Sequence, residues 1–288
     1  MFYTVSDLIK QSQDYPSVAQ LMIETEMENT GRTKEKIREL MGRNLEAMEN
    51  SVKQGVAGVK SVTGLTGGDA KRMDEYIEKG DFLSGQPILE AARNAVAVNE
   101  VNAKMGLICA TPTAGSAGVL AGVLLAVRDR LDMSRDDQLD FLFTAGAFGL
   151  AIANSSSISG AEGGCQAEVG SASAMAAAAL VSIKGGTAQQ SGYAIAMTLQ
   201  NLMGLICDPV AGLVEVPCVK RNAMGASQAM ISADMALAGV KTVIPVDEVV
   251  ETMHRVGQQL PSMFKETAEG GLAVAPTALK LKKQIFGE

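Results

Sequence analysis

The sequence predicts a mainly α fold: a multi-helix globular core, with glycine-rich loops at helix ends carrying the active site. Three observations predict it. Apolar residues such as Ile37, Leu40, Met41, Leu45, Met48 and Val52 recur at three- and four-residue steps, the spacing of one helix face. Alternating β-branched runs and Asn-Gly hairpin signals are almost absent, so strands have little local support. The 288 residues are 47% hydrophobic, yet hold no Trp and only 7 Phe and 4 Tyr beside 30 Gly and 16 Met. That apolar content suits helices packed closely through small residues, with Met filling irregular gaps.

Taken in order, residues 17–56 read as strongly helical, the polar face carrying mixed charges as a solvated face does. A glycine-rich break follows, Ser61-Val62-Thr63-Gly64-Leu65-Thr66-Gly67-Gly68-Asp69. A helix is expected over 86–104, ending before a second break at 111–118. Ser134 with Asp137 three residues on forms a capping-box pattern that opens a helix over 135–152. Thr187 with Gln190 does the same for 188–204, just after Gly185-Gly186. Further helical stretches are expected at 167–183, 223–239 and 247–258. Near residue 83 the chain passes from charged and amphipathic to small-residue-rich and nearly neutral. We therefore expect an N-terminal amphipathic helical region over 1–82 and a large helical core over 83–288, with no linker between them.

Charge and hydropathy exclude several roles. The net charge of -7, from 25 Lys+Arg against 32 Asp+Glu, argues against a nucleic-acid partner, which calls for a basic face. No apolar run reaches the ~18 residues of a spanning helix, and the long uncharged stretches at 141–161 and 185–207 are broken by polar residues and Gly. The N-terminus has no basic start leading into an apolar run, so no secretory signal is expected. The expectation is a cytoplasmic protein without a membrane partner.

A short repeat stands out. Met105-Gly106-Leu107-Ile108-Cys109 recurs as Met203-Gly204-Leu205-Ile206-Cys207, each followed closely by Pro. Both copies read as helix ends running into turns.

The cysteines are Cys109, Cys165, Cys207 and Cys218. Their spacing is not the Cys-x-x-Cys of zinc ribbons or ferredoxins. Cys165 follows Gly163-Gly164, and Cys207 and Cys218 bracket the turn-rich Asp208-Pro209-Val210-Ala211-Gly212-Leu213-Val214-Glu215-Val216-Pro217. Spacing and context alone leave metal ligation and buried structural thiols both open. P-loop, dinucleotide and Gly-x-Ser-x-Gly signatures are absent. The single histidine, His254, lies on an amphipathic C-terminal stretch and reads as solvated or core. Two loops gather hydroxyls: Thr111, Thr113, Gly115 and Ser116 in one, Ser157 and Ser159 in the other. Either loop suits a bound carboxylate, although plain helix capping accounts for the same residues.

The motifs add a resemblance. Ser157-Ile158-Ser159-Gly160-Ala161-Glu162-Gly163-Gly164-Cys165-Gln166-Ala167-Glu168-Val169-Gly170 resembles a signature of iron–sulfur-dependent L-serine dehydratases. So do the segment running from Cys207 to Cys218 and Arg221-Asn222-Ala223-Met224-Gly225-Ala226. The likeness runs over about residues 5–285 and is to the alpha chain of the two-subunit form. It implies a [4Fe-4S] cluster held by Cys165, Cys207 and Cys218, the fourth iron open to substrate, with 83–288 as the cluster-binding catalytic core. The implied reaction turns L-serine into pyruvate and ammonia. The resemblance also implies a beta chain as partner, because the family's histidine-containing Ser-Ser-His-Thr segment is missing here; the catalytic base is expected on that chain. Two positions depart from the family pattern: Ser155-Ser156 stand where Asn-Ala is common, and Cys109 where a small non-thiol residue is usual. Two other chemistries would use the same thiols, an electron-transfer iron–sulfur protein and a zinc-dependent hydrolase. A helical interaction protein with buried thiols is a third alternative.

Overall fold

Ala, Gly and Ser dominate the central helices, and these pack with their backbones close together. The computed structural model describes residues 2–287. Thirteen α-helices follow in chain order among them: α1 (Val5–Gln11), α2 (Val18–Thr30), α3 (Lys34–Ala57), α4 (Asp69–Glu78), α5 (Gln86–Ala103), α6 (Ala117–Val127), α7 (Arg135–Ser155), α8 (Gly160–Gly163), α9 (Cys165–Ile183), α10 (Ala188–Leu202), α11 (Cys218–Leu237), α12 (Val246–Gln259) and α13 (Pro276–Phe286). No strand is formed among the described residues, only isolated bridges at Lys60–Gly67 and Cys207–Lys265. The fold is mainly α, as the patterning predicts.

Helix α9 is the axis of the molecule. From 165 to 181 every residue is buried except Glu168, so the helix is enclosed on all sides. It packs against α6, α7, α10 and α11, while α5 packs on α3, α4, α6 and α11. Ile37, Leu45 and Met48 of α3 join the same core as Ala95 of α5, Leu124 of α6, Phe141 of α7 and Val169 of α9. No helix of the described residues is long and apolar enough to cross a membrane.

The helices expected at 86–104, 135–152, 188–204 and 247–258 form within a few residues of those bounds. Both capping boxes are present, Ser134 with Asp137 and Thr187 with Gln190. The stretch 17–56 is helical as expected and forms two helices. Gly31 ends α2 with φ 67°, and Thr33 caps α3 by accepting a bond from the Lys36 N–H. Helices α9 and α11 begin earlier than expected, at Cys165 and Cys218 themselves. Both copies of the repeat follow helix ends, but their backbones differ: Met105 takes positive φ in the first, Gly204 in the second.

Candidate metal centre

Three of the four cysteines are buried, two of them where helices begin. Cys165 opens α9 and Cys218 opens α11. Cys207 lies in the extended segment after α10, where its N–H donates to Phe264 O (2.9 Å) and its carbonyl accepts from Glu266 N (2.9 Å). All three thiols are free and buried. The sulfurs of Cys165 and Cys207 and a Glu168 oxygen lie within 4.8 Å of one another. A helix N-terminus favours a thiolate over a thiol, an effect that burial outweighs at Cys218.

The charges around them are arranged. The Cys207 thiol bonded to Cys165 holds Cys165 below its ordinary value, and Arg221 works in the same direction. Cys207 is pushed up by that same bond and by burial, and Cys218 is pushed up by burial. Arg221 donates from Nη1 to Ile206 O (2.9 Å) and to Cys165 Sγ (3.5 Å). Its Nη2 stands 2.8 Å from buried Asp208 Oδ1, at ion-pairing distance but poorly aligned for a hydrogen bond. Asp208 Oδ2 accepts from Leu272 N at 2.7 Å, which ties the C-terminal segment to the thiols.

Each wall is pinned by a non-local bond. Gln166 donates to Met253 O (3.0 Å) and accepts from Gly204 N (2.8 Å), while its own N–H donates to Leu205 O (2.8 Å). The second repeat copy is thereby fixed against the start of α9. Glu215 accepts from Thr63 (2.8 Å) and Thr66 (3.1 Å), which brings the 61–69 loop onto the segment between Cys207 and Cys218. Asn222 donates to Gly115 O (2.7 Å) and Cys218 O (2.9 Å) and accepts from Gly118 N (3.1 Å). Asn99 also donates to Gly115 O, at 2.9 Å.

Two carboxylates complete the site, and sequence reasoning missed both. Glu168 accepts a short hydrogen bond from Thr113 Oγ1. Burial pushes its carboxyl above the ordinary range against the pull of Thr113, and Glu266 adds to the rise. Gly115 leaves it room, since an added Cβ there would lie 2.5 Å from Glu168 Oε1. At Gly160 a Cβ would lie 3.1 Å from Cys207 Sγ, 3.1 Å from Glu168 Oε2 and 3.5 Å from Glu266 Oε2. The face of Gly160 thus borders a small cradle of one thiol and two carboxylates. Glu266 reaches it from an exposed segment with φ 65°, a conformation costly for a non-glycine residue. One signal was available: Glu168 sits three residues after Cys165, on the same helix face.

The structure places the hydroxyl residues in different roles. Thr113 faces Glu168 and lies 3.0 Å from Ser116 Oγ, which contacts Thr111 O at 3.2 Å. Thr111 Oγ1 reaches Ala117 O at 3.4 Å. The first-turn N–H groups of α6 are taken: Gly118 N by Asn222, Ala117 N by Ala114 O and Val119 N by Ser116 O. The start of α6 therefore offers none of these three N–H groups to a ligand. Ser159 caps α8 through Ala161 N (3.2 Å), and Ser157 accepts from Ser159 N (3.1 Å). Cys109 is half-buried, and burial alone raises its thiol. His254 contacts Gln258 at 2.9 Å and lines a cavity of about 350 Å³ with Ser157, Glu162 and Lys265.

The donor set suits a thiophilic metal group: free buried thiols, two at helix starts, one beside a guanidinium. Comparison with known proteins identifies relatives. Residues 14–273 match the family model described as serine dehydratase alpha chain. The probable L-serine dehydratase alpha chain of Bacillus subtilis is 58% identical over 100% of this chain and 96% of its own length. The L-serine dehydratase alpha chain of Peptoniphilus asaccharolyticus is 41% identical over 93% of this chain and 92% of its own. L-serine dehydratase 1 of Escherichia coli is 41% identical over 62% of this chain, a match that takes up 40% of that longer protein.

Proposed function

This chain belongs to the serine dehydratase alpha chain family, and from that premise we propose that it is the cluster-bearing subunit of an L-serine ammonia-lyase. The reaction is deamination of L-serine to pyruvate and ammonia. One observation carries the reading: two free, buried thiols, Cys165 and Cys207, lie with Glu168 within 4.8 Å of one another, and the buried thiol of Cys218, at the start of α11, is near enough for the charge of Cys165 to act on it. These three thiols would hold a [4Fe-4S] cluster, a group whose protein ligands are thiolates. When bound, the cluster supplies an iron without a protein ligand, a Lewis acid that makes the serine hydroxyl a better leaving group.

The chain's own residues prepare the site for that chemistry. Arg221 places positive charge against Cys165 and favours its thiolate. Gly115 and Gly160 keep side chains out of the space beside Glu168 and Cys207. We assign the substrate seat to Thr111, Thr113, Gly115 and Ser116 in one wall and to Ser157 and Ser159 in the turn before Gly160. Removal of the substrate's α-proton calls for a base within hydrogen-bond reach. His254 is turned to Gln258, and we assign the base to a partner beta chain. The Escherichia coli relative supports the partner: it is a longer protein, and the match occupies only 40% of it. On this reading residues 83–288 are the catalytic core, 1–82 its amphipathic helical flank, and the enzyme works in the reducing cytoplasm, where such thiols stay free.

The test is anaerobic reconstitution with iron and sulfide, metal and sulfide analysis, then pyruvate assay with L-serine. Four irons and four sulfides per chain, with turnover only when the beta chain is added, is the expected result. Full turnover by the chain alone, undiminished by His254→Ala, would remove the partner from the reading. A second reading has one observation behind it. The close approach of Cys165, Glu168 and Cys207 also suits a single zinc ion, and retained zinc without sulfide would establish that instead.

A further inference from the structure

The substrate's hydroxyl has a partner in the reading above, but its amino group has none. Glu168 is the one residue of α9 between 165 and 181 that is not buried. Thr113 bonds its Oε1, and Gly115 and Gly160 both lack the side chain that would block it. Its Oε2 faces the cradle shared with Cys207 Sγ and Glu266 Oε2. Among the described residues neither carboxylate has an ion-pair partner, and Arg221 is turned to Asp208 and Cys165. Two carboxylates thus border one cradle beside Cys207 with no cationic side chain of the described residues placed on either.

We infer that Glu168 anchors the α-ammonium of the substrate, with Glu266 closing the same subsite from the rim. The site thereby selects α-amino acids over the matching hydroxy acids. Thr113 is a positioning residue: its hydroxyl fixes one carboxylate oxygen and leaves the other for the ligand. The inference rests on the serine-deaminating reading.

The experiment compares L-serine with 3-hydroxypropanoate, which is serine without its amino group. Dissociation constants are read from changes in the cluster's electron paramagnetic resonance and visible spectra, using the cluster-loaded chain assembled with its partner. In the unmodified enzyme L-serine should bind about tenfold to a hundredfold tighter than 3-hydroxypropanoate, the scale of one charge-assisted bond. Glu168→Gln, which can still accept from Thr113, should close that gap by weakening L-serine alone. Glu266→Gln, on the exposed rim, should narrow the gap and gives a second readout should Glu168→Gln fail to load iron and sulfide. A gap that persists in both variants overturns the inference. So does equal weakening of both ligands, which would mark a structural role. Lost turnover with unchanged L-serine affinity would make Glu168 a proton-transfer group and equally overturn it. No L-serine binding by the unmodified enzyme would instead bring down the proposed function itself.

Discussion

Replacing Asn222 with alanine tests how the thiols are tied to the Thr111–Ser116 loop. The side chain is fully buried and makes three bonds: to Gly115 O (2.7 Å), to Cys218 O (2.9 Å) and from Gly118 N (3.1 Å). The two carbonyls keep other partners without it. Gly115 O still accepts from Asn99, and Cys218 O still has the helical N–H of residue 222. Only Gly118 N is orphaned, in the first turn of α6. An orphaned buried donor costs about 1–3 kcal/mol, and two lost donations add about 0.5–1.5 kcal/mol each. The expected loss is about 3 kcal/mol, read as a lowered urea midpoint of the metal-free chain. Asn222→Asp sharpens the test. It can accept from Gly118 N but sets a carboxylate against two carbonyls, so it should be less stable at neutral than at mildly acidic pH, where the proton restores a donor. A loss below about 1 kcal/mol for alanine, with no pH dependence for aspartate, would show that Asn222 does not hold these segments together.

The remaining predictions concern the thiols and the buried charges. Arg221→Met leaves Asp208 buried without its cation and should cost about 3–5 kcal/mol in urea unfolding; a near-neutral result would show that water reaches Asp208. Cys165→Ala, Cys207→Ala and Cys218→Ala should each lose bound iron and activity, while Cys109→Ala keeps both. Full iron content in any of the first three would sink the ligand assignment. Glu100 accepts from Asp69 N (2.8 Å) and Ala70 N (3.3 Å) at the start of α4, and burial holds its carboxyl above the ordinary value. A raised folded value means that the native state binds this proton more tightly than the unfolded chain. Its contribution to stability is therefore fully present at low pH and declines as pH rises from the ordinary carboxylate value through the folded one. The stability of the native protein relative to Glu100→Gln should fall as pH rises above the ordinary carboxylate value; a flat difference would refute the assignment.

The parts of the fold legible in the sequence are those with local signals. Ser134 and Thr187 cap their helices through their own side chains, so the starts of α7 and α10 could be read directly. Helices α9 and α11 have no such mark: Gly164 and Pro217 stand at their N-caps without a side-chain bond, and both helices begin earlier than the sequence pattern predicts. Helix α6 was hidden for a different reason. Its residues, Ala117-Gly118-Val119-Leu120-Ala121-Gly122-Val123-Leu124-Leu125-Ala126-Val127, are apolar on every face, so no 3.6-residue alternation exists to detect.

The site divides along the same line. Cys165 and Glu168 lie one helical turn apart, and their pairing is a local fact. Glu266 is brought to the thiols only because residues 264 and 266 bond the backbone of Cys207, a contact across the whole α11–α12 excursion that no spacing rule encodes. The same holds for Asn222 and Arg221, which sit on α11 but act on Gly118, Ile206 and Asp208. These bonds are made by backbone, amide and guanidinium groups, not by the thiols themselves. The seat for a thiolate-bound group is therefore set by the packing of the chain around it, and the cysteines enter a geometry that their neighbours have already fixed.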